Sequence, residues 1–183
     1  AELMAHGLNG FIVPRADAHQ GEYVAPHDSR LTWLTGFTGS AGFAVVLPDV
    51  AGVFVDGRYR LQVRAQVDTT HFTPVNWPEV KPADWLRQHL LAGRVGFDPW
   101  LHTREEIDRI ASGLEASRIT LVPVAENPLD AIWADQPPPP VGAVSIHPDS
   151  LAGESAAAKC ARLAAQLRDQ GQRAAVITLA DSI

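Results

Sequence analysis

The chain has 183 residues, 46% hydrophobic and 20% charged, a balance that supports a buried core and excludes a disordered or low-complexity chain. Its 15 Lys plus Arg are outnumbered by 21 Asp plus Glu, giving a net charge of −6, and Lys occurs only at Lys81 and Lys159. No basic cluster stands out, so binding to nucleic acid through phosphate contacts is excluded. The lone Cys160 rules out an internal disulfide and suits a reducing compartment. No apolar run approaches the ~20 residues of a membrane-spanning helix, and the first residues lack the basic-then-apolar pattern of a secretion signal. The expectation is a cytoplasmic protein without a membrane partner.

In chain order, residues 1–7 read as the end of a helix stopped at Gly7, with Gly10 in a turn. Phe11-Ile12-Val13, stopped by Pro14, reads as a buried strand. Leu31, Trp33 and Leu34 predict a short helix over 29–34 that ends at Gly36. Phe43–Leu47 and Val50–Val55, separated by Pro48-Asp49, predict a hairpin. Asp56 offers a helix cap, and Tyr59, Val63 and Val67 follow at helical spacing. Pro82 suits a first helical turn, with Leu86 and Leu90 on one face. Arg94–Phe97 reads as a strand. Thr103 and Glu106 form a capping-box pattern, in which each side chain satisfies the other's exposed backbone N–H, ahead of Ile107, Ile110, Ala111 and Leu114. Ile119–Val122 is the next strand.

This alternation predicts an α/β domain with a mixed β-sheet flanked by helices, since the early hairpin excludes a purely parallel sheet. Pro137 to Pro140 form a stiff run that fits neither a helix nor a sheet interior. The predicted organisation is a first domain over 1–136, a proline-rich linker over 137–150, and the incomplete start of a second domain over 151–183. In that last part Cys160, Leu163, Ala164 and Leu167 form a helical stripe, which predicts a buried, inert Cys160, and Ala174–Thr178 reads as a strand. One helix and one strand do not bury a core of their own.

Three segments carry candidate chemistry. Residues 17–28, DAHQGEYVAPHD, hold Asp17, His19, Glu22, His27 and Asp28, all metal-capable. Their spacing matches no helical ligand arrangement, and a polar loop held by its own hydrogen bonds is the favoured reading over a metal site. Residues 36–42, GFTGSAG, lack the Lys of a phosphate-binding loop and the Gly two residues before Ser40 of a nucleophile elbow, so they read as a structural turn. In DGRY, residues 56–59, Arg58 falls in a first helical turn, where a cation opposes the helix dipole. It either binds a carboxylate or carbonyl of a ligand, or pairs with Asp56. The five tryptophans, Trp33, Trp77, Trp85, Trp100 and Trp133, read mostly as packing residues.

FIVPRADAHQGEYVAPHDSRLTWLTGFTGSAG, VFVDGRYRLQVRAQV, RVGFDPWLHT and VPVAENPLDAIWADQPPPP span most of residues 11–140. These stretches resemble the cytosolic type of Xaa-Pro aminopeptidase, in the creatinase/prolidase/aminopeptidase P superfamily (metallopeptidase family M24B). The resemblance implies an N-terminal domain of ribonuclease H-like, creatinase/prolidase type, followed by a second domain of similar fold. It also implies a catalytic pita-bread domain that lies outside this chain and holds two divalent metal ions, usually manganese. No catalytic or metal-binding residue is then expected here, and no cofactor bound by this part. The implied activity is removal of the residue before proline from peptides, by a homodimer whose N-terminal region shapes substrate access. The Arg of the DGRY motif reaches the substrate in that family, so the resemblance makes Arg58 a substrate-binding candidate. His19 and Tyr23 sit in a matching motif without an assigned role. Gly21, His27 and Ser29 depart from the family pattern, where Ser, Cys and Cys are frequent, which argues against chemistry there. The competing expectations are a stand-alone, non-enzymatic binding or oligomerisation module of the same fold, and a metal-binding loop around His19 and His27.

Overall fold

Short apolar runs bounded by Pro, Gly or Asp become strands in the computed structural model of the chain, which describes residues 2–179. Helix α1 (Glu2–Ala5) is followed by Gly7 at φ 63°, a left-handed turn that glycine adopts without steric penalty, and the chain enters β1 (Gly10–Pro14). Gly10 is thus a strand residue and not the expected turn. A side chain there would collide with Leu47 and come within 2.9 Å of the Val46 carbonyl, so the strand packs where only glycine fits.

Helix α2 (Arg30–Thr35) ends on Gly36 at φ 78°. Strands β2 (Phe43–Val46) and β3 (Ala51–Val55) form the expected antiparallel pair. A single 3-10 turn, Gly57–Tyr59, leads into α3 (Arg60–Gln66), after which comes β4 (Phe72–Asn76). Helix α4 (Pro82–His89) precedes β5 (Ala92–Phe97). Helix α5 (Arg104–Leu114) carries the capping box in full, with Thr103 accepting from the Glu106 N–H and Glu106 from the Thr103 N–H. Strand β6 (Arg118–Pro123) and helix α6 (Pro128–Ile132) complete this part.

The six strands form one mixed sheet in the order β4-β3-β2-β1-β5-β6. Strand β2 is antiparallel to both its neighbours, and every other pairing is parallel. The carboxyl ends of β1, β3, β4, β5 and β6 therefore share one edge of the sheet, where the segment entering β2 also lies. Side chains alternate across the strands. Ile12, Val45 and Phe54 join a core with Trp85 and Leu86 of α4 and Leu114 of α5. Phe11, Val13, Ala44, Val53 and Val55 face the opposite way, against Leu31 of α2, Val63 of α3 and Leu129 of α6. Helices thus cover both faces, and β3 is buried along its whole length.

The chain divides into two compact units, the first ending at Pro139 and the second starting at Pro140. The second unit contains α7 (Asp149–Ala152) and α8 (Ala156–Asp169), the latter capped by Ser155. Two expectations fail in it. Residues 172–179 carry no regular secondary structure, so the strand expected at 174–178 is absent, because no described segment pairs with it. Cys160 is exposed and not buried, and Leu163 on the same stripe is 41% exposed, because no described residue of this unit covers that face of α8. Of the tryptophans, Trp85 and Trp133 are buried, Trp33 and Trp77 are partly exposed, and Trp100 stands mostly in solvent.

Candidate functional site

Strand β3 ends at Val55, and the next residue, Asp56, turns the backbone out of the sheet at the shared carboxyl edge. Its carboxylate caps the 3-10 turn by accepting the Arg58 backbone N–H at 2.9 Å. The same carboxylate takes Nε of the Arg58 side chain at 3.2 Å and Nη2 at 2.7 Å. A guanidinium has five N–H donors. Asp56 engages one edge, and the remaining edge faces outward, with the Arg58 side chain 66% exposed. The Asp56 hydrogen bond raises the Arg58 pKa, Glu22 adding a smaller attraction, and in return Arg58 holds Asp56 below its ordinary value. The guanidinium, charged at any pH a protein meets, is oriented by Asp56.

Tyr59 supports it from beneath. Its ring lies 5.2 Å from the centre of the Arg58 guanidinium, a cation–π distance. The ring meets Phe37 edge-to-face at 5.7 Å, and its hydroxyl is 2.6 Å from Ser40 Oγ, a hydrogen bond that lowers the Tyr59 pKa. The GFTGSAG segment is thereby explained as a structural turn. Gly39 passes so close to Phe37 and Tyr59 that any side chain there would clash. Thr38 is clamped by Gln62 and Gln66 of α3, its backbone N–H meeting Gln66 Oε1 at 3.0 Å.

The loop after β1 runs alongside. Asp17 folds it by accepting the backbone N–H groups of His19 at 2.9 Å and Gly21 at 3.1 Å. Arg15 Nη1 donates to the Glu22 carbonyl at 2.8 Å. Tyr23 is 86% exposed. The metal-capable side chains of this loop are dispersed by other duties. Asp28 pairs with Arg30 at 3.2 Å, and His27 Nδ1 lies 2.6 Å from the Pro137 carbonyl. Among the described residues no three His, Cys, Asp or Glu side chains converge on one point. His19 and His27 are not brought into one constellation, and neither adjoins Arg58 through any hydrogen bond among the described residues.

One arrangement escaped sequence reasoning. Arg30, almost buried, makes a two-pronged contact with Asp130, Nε to Oδ1 at 2.7 Å and Nη2 to Oδ2 at 2.8 Å, across a hundred residues of chain. Burial works against the Arg30 charge, and the hydrogen bonds to Asp130 and Asp28 overcome it, so its pKa is raised. Trp33 and Trp133 stack beside it at 5.2 Å. Together with Gln136, which donates to the His27 carbonyl at 3.0 Å, these contacts strap residues 128–137 onto α2 and the end of the loop. The sequence held only a faint signal of this strap in Asn127-Pro128, a cap followed by a helix-starting proline.

Comparison with known proteins agrees with this architecture. A family model described as Creatinase/Prolidase N-terminal domain matches residues 1–132, and a second of the same description matches residues 135–183. A probable Xaa-Pro aminopeptidase P of Aspergillus clavatus is 35% identical over 185 residues, covering 99% of this chain and 28% of its own length. Aminopeptidase P1 of Lotus japonicus is 34% identical, over 96% of this chain and 27% of its own. Among solved structures, an X-prolyl aminopeptidase of Caenorhabditis elegans, described as a cytosolic enzyme with a di-nuclear active site, superposes with a TM-score of 0.84 at 30% identity. It matches 95% of this chain and 29% of that one. The chain thus spans somewhat over a quarter of the length of these relatives. No described helix is long and apolar enough to cross a membrane.

Proposed function

The chain belongs to the creatinase/prolidase N-terminal domain family, and we propose that it serves as the non-catalytic N-terminal region of a metal-dependent, cytoplasmic Xaa-Pro aminopeptidase. In this reading residues 1–136 form the first domain, residues 137–150 a proline-rich linker, and residues 151–183 the beginning of a second, similar domain. The metal ions, manganese by analogy with the family, belong to a catalytic domain outside this sequence, as in the di-nuclear relative. The bond before proline is a tertiary amide whose nitrogen carries no hydrogen, so recognition must rely on the peptide's other groups.

The observation that carries the reading is Arg58. It is a fixed cation at the carboxyl edge of an α/β sheet, where ligands of such sheets collect, with one guanidinium edge open. Asp56 and Tyr59 orient it, and Phe37, Ser40 and Gly39 hold Tyr59. This part of the protein then contributes a substrate contact and a wall that limits access to short peptides, and it takes part in a homodimer.

Two measurements test this. The 183-residue chain, with and without manganese, is expected to leave an Xaa-Pro peptide intact, and metal-dependent turnover by the purified chain would overturn the assignment of catalysis to another region. In the longer protein, Arg58→Ala is expected to lower kcat/KM by about tenfold or more, the usual consequence of losing a charge-assisted hydrogen bond. An unchanged kcat/KM would remove Arg58 from substrate binding, and a longer protein without turnover would favour a non-enzymatic binding module.

A further inference from the structure

A second cation at the carboxyl edge of the sheet, Arg15, pairs with no carboxylate among the described residues. Arg15 follows β1 at the same sheet edge, and it lines a cavity of about 170 Å³ together with Val24, Asp28 and Leu31, and the hydroxyl-bearing Ser29, Thr32 and Thr38, the last accepting from Gln62 and Gln66. One Arg15 nitrogen is tied to the Glu22 carbonyl, and its other N–H groups meet no protein acceptor among the described residues. The remaining polar groups of the cavity are already engaged. Ser29 donates to the Ala25 carbonyl at 3.0 Å and Thr32 to the Phe37 carbonyl at 2.8 Å. Asp28 shares Arg30 with Asp130, which takes the guanidinium in a two-pronged contact, and Arg30 approaches only the Oδ1 of Asp28, leaving Oδ2 free to accept. The cavity therefore presents the free N–H donors of Arg15, the free carboxylate oxygen of Asp28, and the apolar flanks of Val24 and Leu31.

We infer that this cavity is a carboxylate subsite that takes the C-terminal residue of a short peptide, an inference that rests on the reading of the chain as peptide-handling. A C-terminal residue carries a carboxylate and, on the same α-carbon, an N–H and a side chain. Arg15 would take the carboxylate through paired N–H donors, Asp28 the N–H, and Val24 and Leu31 the side chain. The cavity lies well below the roughly 300–1,000 Å³ of a site that encloses a whole small molecule, so it accommodates one residue. Glu22 links the two cations, since its carbonyl holds Arg15 and its charge acts on Arg58.

The test uses the 183-residue chain and the Arg15 Nε–H resonance, titrated with acetate, the peptide Ala-Pro-Ala, its C-terminal amide, and an Ala-Pro-Glu amide whose only carboxylate is on the side chain. Ala-Pro-Ala is expected to shift the resonance saturably and to bind about tenfold or more tightly than its amide, with acetate producing the same direction of shift at higher concentration. Arg15→Gln should abolish the preference for acid over amide. Equal affinity for acid and amide, or no saturable shift up to about 10 mM peptide, would overturn the subsite. Ala-Pro-Glu amide binding as tightly as Ala-Pro-Ala would overturn its assignment to the chain terminus. The acid-to-amide comparison needs no variant, so a loop loosened by Arg15→Gln does not decide the matter. Arg58→Ala should leave the acid-to-amide ratio intact while weakening both ligands. Loss of the ratio would contradict the Arg15 subsite, whereas unweakened binding would contradict only the role of Arg58.

Discussion

His102, in the loop after β5, shows how one side chain can tie stability to pH. It is 6% exposed, packs edge-on to Phe97 at 5.9 Å, and its Nε2 is buried without a hydrogen-bond partner. Burial lowers its pKa from the ordinary 6.5, against weaker opposing pulls from Glu106 and Asp98. The unfolded chain therefore takes up a proton at a pH where the folded chain does not. Stability is full above about pH 6.5 and falls as the pH drops through it, continuing down to the lowered folded value. Carboxylates contribute to acid loss mainly near pH 4 and below, and comparison with a His102 variant between pH 7 and 5 separates His102 from the other six histidines. Urea midpoints should fall across that interval in the natural chain and stay nearly flat in His102→Phe. A parallel fall in both would show that another group is responsible. Gly39 gives a second prediction at this scale. A methyl group there meets Phe37 and comes within 2.8 Å of Tyr59, so Gly39→Ala should destabilise by about 1–3 kcal/mol through overpacking. It should also displace Tyr59 from beneath Arg58, visible as a raised Tyr59 pKa once its bond to Ser40 is disturbed.

At the scale of elements, the strap formed by α6 on α2 makes an asymmetric prediction. Asp130→Ala leaves the nearly buried Arg30 guanidinium with Asp28 alone, whereas Arg30→Met removes the charge and retains apolar volume. Breaking a fully buried pair costs about 3–5 kcal/mol, but Asp130 is more than a third exposed, and screening brings the expected loss for Asp130→Ala to about 2–3 kcal/mol. Arg30→Met should cost less, and the reverse order in urea denaturation would refute the account. The same strap shows where sequence reading stopped. Strands β1, β2, β3 and β5 were legible because each is a short apolar run with clear stops, and α5 because its cap is local. Strand β4 was not, since FTPVN is half polar and contains Pro74. Its place at the open edge of the sheet is what tolerates a residue without an N–H. Arg30 and Asp130, or Trp33 and Trp133, lie a hundred residues apart, and no spacing rule joins them. Arg58 was legible as an anomaly, a cation at a helix start, but its support by Tyr59 and Ser40 required the fold. The strand expected at 174–178 had apolar sequence without a partner, and sheet structure depends on the partner.

For the whole molecule, both core clusters and all six strands lie before the proline run. A chain ending at Pro139 is therefore expected to fold alone and to melt cooperatively within a few degrees of the 183-residue chain. A molten or aggregating 1–139 fragment would show that residues 140–183 contribute to the core. The exposed apolar stripe of α8, with Cys160 and Leu163, predicts in turn that residues 140–183 expressed by themselves would not melt cooperatively, which calorimetry would show as a featureless trace.

The position of β1 at the centre of the sheet has a consequence for how the chain is made. One side of β1 is covered by β2, which follows at once, but the other is covered only by β5. Roughly eighty residues must be added between Pro14 and Phe97, which at synthesis rates of about 5–20 residues per second takes roughly 4–17 s. For that time β1, with Phe11, Ile12 and Val13 in the core, offers an unpaired edge to any other nascent chain. If that edge is the route to aggregation, spacing ribosomes further apart on one message by slower initiation should raise the soluble yield.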